Sequence, residues 1–143
     1  MESFKYVVSF RIHHPSMDPD LISSKLGLEP QHKWKAGAER KTPKGKPLTG
    51  VYEKSFCTFR LKHGKNIELA DFLKGYTKKL HKNKRFLKSI RSTGGKLEYF
   101  IGWFTDKDSG EVFDLELLEQ LVKLGIDLSL AVYGPSKDCI ELC

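Results

Sequence analysis

Residues 6–37 read Tyr6-Val-Val-Ser-Phe-Arg-Ile-His-His-Pro-Ser-Met-Asp-Pro-Asp-Leu-Ile-Ser-Ser-Lys-Leu-Gly-Leu-Glu-Pro-Gln-His-Lys-Trp-Lys-Ala-Gly37. Tyr6 to Ile12 is rich in β-branched and aromatic residues, as a strand requires. Asp18 is a good N-cap, because its carboxylate accepts from the free amides of a first helical turn. Pro19 stands at the first helical position, where its missing N–H costs nothing. Leu21, Ile22 and Leu26 recur at helical spacing, and Gly27 supplies the left-handed residue that ends the helix. Pro30 prevents continuation, and Trp34 then enters a basic segment. A strand at about 4–13, a helix at about 18–27 and a short return strand around Trp34 predict an α+β layer scaffold.

Outward from that block, residues 31–50 form a Lys/Gly/Pro-rich connector with Lys41-Thr-Pro-Lys-Gly-Lys-Pro47 at its heart. Connectors of this length are often mobile or functional, so 38–50 reads as a basic loop. Val51 to Leu61 reads as a strand with imperfect alternation. Residues 66–92 are helical in period: Leu69, Phe72, Leu73, Tyr76 and Leu80 make one stripe, His81-Lys-Asn-Lys84 interrupts it, and Phe86, Leu87 and Ile90 resume. Two consecutive helices or one bent helix are expected there. Thr93-Gly-Gly95 is a turn, and Lys96 to Thr105 is a strongly apolar strand, placed centrally. Asp114 caps a helix whose Leu117, Leu118, Leu121 and Leu124 are expected to face the core. Gly125 stops it, and Ile126 to Tyr133 closes with an alternating strand. The helix ends Leu26-Gly-Leu28 and Leu124-Gly-Ile126 echo one another. The predicted fold is one α+β domain over 1–143, with a mainly antiparallel or mixed sheet, helices on one face and two strand–helix–strand (ferredoxin-like) units.

Composition narrows the function classes. The chain has 143 residues, 39% of them apolar and 11% aromatic, which suits a folded domain with a sizeable core. No apolar run approaches the roughly 20 residues that span a bilayer. The N-terminus carries no signal-peptide pattern, so a cytoplasmic location is expected. Three cysteines without framework spacing agree with a reducing compartment. The formal charge of +7 is unevenly spread. Residues 31–96 hold 19 Lys/Arg against 4 Asp/Glu, whereas residues 97–143 hold 3 against 10. A basic side and an acidic side are the expected consequence.

The block from Phe10 to Gly37, with the ending Leu118 to Tyr133, resembles the bacterial family catalogued as domain of unknown function 4279. The shared elements are Asp18-Pro19, Leu26-Gly-Leu-Glu-Pro30, Trp34-Lys-Ala-Gly37 and Leu124-Gly-Ile-Asp-Leu-Ser-Leu-Ala-Val-Tyr133. The resemblance covers nearly the whole chain and implies the fold. Its motifs are structural punctuation, and it transfers no catalytic residue. Tyr52 and Phe56 stand where a further tryptophan is expected.

No reaction centre is recognisable. His13 and His14 are adjacent on a strand and so point to opposite faces, a poor chelating pair. Cys57 and His63 form a conceivable nucleophile pair, but Cys57 lies mid-strand with no group to activate it. Gly45-Lys46-Pro47 fails the phosphate-loop pattern, and Asp106-Lys-Asp-Ser-Gly110 fails the calcium-loop pattern. Cys139 and Cys143 make half a zinc site without a second pair. No cofactor or metal is expected.

Three function classes remain. The favoured one is a non-catalytic protein-interaction module, for example an immunity protein that masks a toxin. The acidic residues Glu111, Asp114, Glu116, Glu119 and Asp127 would then suit a basic partner, and the lysine side an acidic one. The alternative is nucleic-acid binding through the basic 31–96 surface. Lys33, Lys35, Arg40, Lys41, Lys44 and Lys46 would join Lys74, Lys78, Arg85 and Lys88, with Trp34 and Tyr52 for stacking. The third is a ligand or enzyme site where the end of the first strand meets the basic loop, at Arg11, His13, Trp34, Lys35, Arg40 and Lys41.

Overall fold

The computed structural model describes residues 4–134. Their elements are β1 (Phe4–His14), α1 (Pro19–Leu26), β2 (His32–Trp34), β3 (Glu39–Lys41), β4 (Pro47–Val51), β5 (Ser55–Leu61), α2 (Leu69–Leu80), a 3-10 turn (His81–Asn83), α3 (Lys84–Ser92), β6 (Lys96–Thr105), α4 (Leu115–Leu124) and β7 (Ile126–Tyr133). Five strands form one mixed sheet in the order β2-β5-β1-β6-β7, while β3 and β4 form a separate hairpin. β1 is antiparallel to β5 and β6, β2 is antiparallel to β5, and β6 and β7 are parallel.

These pairings make β2 parallel to β1 across β5, and β6 parallel to β5 across β1. The result is two interleaved split β-α-β units, the ferredoxin-like arrangement. The α+β class and the strand–helix–strand units are therefore as expected, but the two units are differently composed. The second interleaved unit is β5–α2/α3–β6. The echo around α4 belongs to an added crossover that places β7 beside β6, and β1 rather than β6 is the middle strand.

Alternation along the strands separates two faces. Tyr6, Val8, Phe10 and Ile12 of β1 sit in register with Trp103, Ile101, Tyr99 and Leu97 of β6, and all are buried. Cys57, Phe59 and Leu61 of β5 extend that layer. Ile22 of α1, Leu69 and Leu73 of α2, Leu87 and Ile90 of α3, and Leu117, Leu121 and Leu124 of α4 close over it as one core. The phenol of Tyr99 and the hydroxyl of Thr77 bond to each other at 2.8 Å inside the core, so neither is left unpaired. Leu118 departs from expectation. It is exposed, because burial follows the i, i+4, i+7 stripe of Leu117, Leu121 and Leu124 and Leu118 lies off it.

The helix signals fall where the sequence places them. Asp18 accepts from the Asp20 amide and Asp114 from the Leu117 amide, while Gly27 and Gly125 close their helices with φ of 66° and 72°. Residues 38–50 form the β3–β4 hairpin, with Thr42 and Lys46 bonded across its turn. Cys139 and Cys143 lie outside the described residues.

His14 ties the end of β1 to the end of α3. Its Nδ1 accepts from the amides of Ser16 at 3.0 Å and Met17 at 2.8 Å. The ring proton therefore sits on Nε2, which donates to Thr93 Oγ1 at 2.7 Å. That hydroxyl in turn donates to the Ser89 carbonyl.

Candidate functional site

The face of the sheet opposite the core carries no helix among the described residues. The register brings to it Ser9, Arg11 and His13 of β1, Phe56, Thr58 and Arg60 of β5, and Glu98, Phe100 and Phe104 of β6. Ser129 and Tyr133 of β7 and His32 and Trp34 of β2 complete its flanks.

Aromatic contacts organise this surface. Tyr52 stacks on Trp34 with centroids 4.8 Å apart at 13°, Trp34 meets Phe56 at 4.7 Å, and Phe56 meets His13 at 4.8 Å. Phe104 stacks on Tyr133 at 4.8 Å. The Arg11 guanidinium lies 3.7 Å above the Phe100 centroid, a cation–π geometry. Its Nη1 is 3.9 Å from Glu98, whose carboxylate also accepts from the Ser129 hydroxyl at 2.6 Å. Arg11 Nε has no hydrogen-bond partner.

Hollows lie along the same face. One of about 340 Å³ is lined by Lys5, Arg11, His32, Arg60, Phe100 and Phe104, among others. Another of about 380 Å³ lies between His13, Lys54, Lys96, Glu98 and Asp127. A third of about 630 Å³ opens between β2 and the hairpin, lined by Trp34, Lys41 and Tyr52. Burial holds the His13 imidazole below its usual value. Glu98 opposes that shift, while Arg11, Lys54 and Lys96 add to it.

Arg11, His13 and Trp34 thus share one surface, and Lys41 borders it. Lys35 does not join them. It alternates with Trp34 and reaches Asp18 at 3.8 Å, as Lys33 reaches Asp20 at 2.6 Å. Arg40 bonds the Thr49 carbonyl within the hairpin at 3.5 Å. Lys74, Lys78, Arg85 and Lys88 belong to α2 and α3, the layer on the other side of the sheet. Lys74 is bound to Asp114 at 2.5 Å, which raises the lysine's pKa and lowers the aspartate's. The basic 31–96 segment is therefore divided between two faces. Its helical part packs beside the acidic α4 instead of opposing it.

Sequence reasoning missed Lys5, Arg60, Phe100, Phe104 and Tyr133. The available signal was the alternation Glu98, Phe100, Phe104 against Leu97, Tyr99, Ile101 and Trp103. Only the pairing of β6 with β1 shows that the first set meets Arg11.

The nucleophile pair is not formed. Cys57 is buried on the core face, where burial pushes its thiol up to about 12. His63 lies beyond the far end of β5, ~20 Å along the strand, and stacks on Tyr6. No group of three or more His, Cys, Asp and Glu is placed to hold a metal ion among the described residues. No helix among them is long and apolar enough to cross a membrane.

Comparison with protein families matches residues 4–135 to the domain of unknown function DUF4279. The chain belongs to that family. No curated protein and no solved structure matches it. DUF4279 membership agrees with the resemblance drawn from Asp18-Pro19, the Leu-Gly-Leu-x-Pro exit and Trp34. In the structure these residues cap α1, end it, and seat β2 on the rim of the open face.

Proposed function

We propose that this DUF4279 domain is a non-catalytic protein-interaction module that takes an acidic segment of a partner on the helix-free face of its sheet. The supporting observation is the convergence of Lys5, Arg11, His32 and Arg60 on one cavity floored by Phe100 and Phe104. Lys5, His32 and Arg60 have no ion-pair partner among the described residues, while Arg11 is held in place by Phe100 and Glu98. Lysine and arginine side chains fixed around a partly apolar floor speed encounter with an acidic partner and select against basic ones. Masking a toxin is one form such a role takes.

Nucleic-acid binding is the weaker reading. Stacking of bases requires open ring faces. Trp34 is flanked by Tyr52 and Phe56, and one face each of Phe100 and Phe104 carries Arg11 and Tyr133. Lys33, Lys35 and Lys74 are held by aspartates.

The test compares tagged wild-type protein with an Arg11→Glu/Arg60→Glu variant and a Lys78→Glu/Lys88→Glu variant in affinity capture from native lysate at low salt, with and without nuclease. A protein partner that survives nuclease, is lost with the sheet-face variant and is retained by the helix-face variant supports the proposal. Captured material that disappears with nuclease, or equal capture by both variants, overturns it.

A further inference from the structure

The hollow of about 340 Å³ on the open face holds one ordered block of donors. The register places Ser9 between Arg60 of β5 and Phe100 of β6, and Arg11 opposite Thr58. The Arg11 guanidinium lies over the Phe100 ring, so it and Arg60 flank the Ser9 position from two sides. Arg11 and Arg60 are diagonal neighbours of an antiparallel pair. Their strand positions are roughly 7 Å apart, a span that two long side chains can close onto one bound group. Thr58 lies at the floor of the block.

The charges of this wall have one sign. Lys5, Arg11 and Arg60 line it, and no carboxylate does among the described residues. Glu98 lines the neighbouring hollow instead. Its 3.9 Å approach to Arg11 Nη1 is too long for a hydrogen bond, so it orients the guanidinium without occupying its N–H groups. Arg60 is exposed and has no ion-pair partner among the described residues. Beside the donors, Phe104 stacks on Tyr133 and lies against Gly102, where an added Cβ would meet its ring at 3.2 Å. An apolar wall for the stem of a bound group thus adjoins the cations.

The number and shape of the donors choose among anions. A carboxylate offers two oxygens and one charge, which a single guanidinium fork satisfies. Two forks with a hydroxyl between them exceed it. A phosphate monoester brings three terminal oxygens and a charge of about −1.5 to −2 at neutral pH. The planar fork of arginine matches phosphate bidentately, and arginine clusters read phosphorylated motifs. We infer that the acidic segment proposed above is anchored by a phosphorylated side chain, whose phosphoryl oxygens accept from Arg11, Arg60 and the Ser9 hydroxyl. The inference rests on the acidic-partner reading and can fail while that reading stands.

The test titrates the full chain into a fluorescein-labelled peptide of glutamates around one phosphoserine, followed by anisotropy. The same peptide with serine or with glutamate at that position gives the comparisons. The phosphopeptide should bind saturably and about tenfold or more tighter than the glutamate peptide. Arg11→Lys/Arg60→Lys keeps the charge but removes both forks, so it should erase that preference while still binding the glutamate peptide. Circular dichroism checks that this variant is folded, and Arg60→Lys alone, at an exposed position, should narrow the preference in the same direction. Equal affinity for the phosphoserine and glutamate peptides overturns the inference and leaves the acidic-partner reading intact. Absence of binding by all three peptides overturns it as well, and the capture experiment then decides that reading by itself. A preference that survives both arginine variants also overturns it, and its loss with Lys78→Glu/Lys88→Glu would put the phosphate on the helical layer. Displacement of the phosphopeptide by free O-phosphoserine at equal concentration overturns the assignment to a partner in favour of a free phosphate ester.

Discussion

His14 cannot take up a proton without giving up the two amide hydrogen bonds that Nδ1 accepts. Burial also holds its pKa below the ordinary value of 6.5. The unfolded chain therefore protonates first as pH falls. The stability that neutral His14 supplies is complete above 6.5 and declines as pH drops below it towards the lower folded value. His13 acts in the same direction. His14→Phe keeps the ring volume but strands the Ser16 and Met17 amides. It should cost about 1–3 kcal/mol at neutral pH. Urea midpoints at about pH 7.5 and about pH 5.5 should also differ less in the variant than in the wild type. An unchanged difference would show that His14 is not the titrating lock. At this scale the sequence was partly readable. Neighbouring histidines on a strand had to face opposite ways, and they do. That His14 meets Thr93 could not be read, because only the packing of α3 against β6 brings residues 79 apart into contact.

At the scale of elements, α4 separates buried from exposed leucines that adjoin in sequence. Leu117→Ala should cost about 2–5 kcal/mol, as large-to-small changes in cores do. Leu118→Ala should stay within about 0.5 kcal/mol, as exposed substitutions do. Equal effects in denaturant titrations would contradict the orientation of the helix. The sequence supplied the boundaries of α4, since Asp114 and Gly125 terminate it by local hydrogen bonding. It did not supply the width of the buried face. Four leucines in a row of apolar positions cannot show which one has no neighbour across from it. A similar limit applies at the α3–β6 junction. Thr93-Gly-Gly95 reads as a turn, but the need for glycine at 95 is tertiary. An added Cβ there would meet the Ile90 carbonyl at 2.7 Å and the His13 carbonyl at 2.8 Å. Backbone cannot retreat as a flexible side chain does, so Gly95→Ala should lower stability by about 1–3 kcal/mol. Thermal melts of the single variant will show it.

Across the whole molecule, segment charge proved a poor guide to surface charge. The basic and acidic stretches are neighbours in the helical layer, joined by Lys74 and Asp114. The cations gathered on the open face come from β1 and β5, and Lys5 and Arg11 lie outside the basic segment altogether. Sheet order decides this, and no local pattern encodes it. The connector at 38–50 shows the same limit, because its hairpin bonds are made across a turn whose lysines and glycines read as loop.

The interleaving of the two units also bears on how the protein is made. β1 is synthesised first, yet it is the middle strand, and its β6 partners lie roughly 100 residues later, as in Phe4 opposite Thr105. Until those residues leave the ribosome, Val8, Phe10 and Ile12 are paired on one flank at most. Long-range closure of this kind is slow relative to local helix formation. Chains arrested with residues up to about 92 outside the exit tunnel should remain protease-sensitive, and resistance should appear in one step once β6 is free. During synthesis, then, the nascent chain offers the cell an unfinished apolar strand for most of its length, and the time spent in that state is set by translation rate.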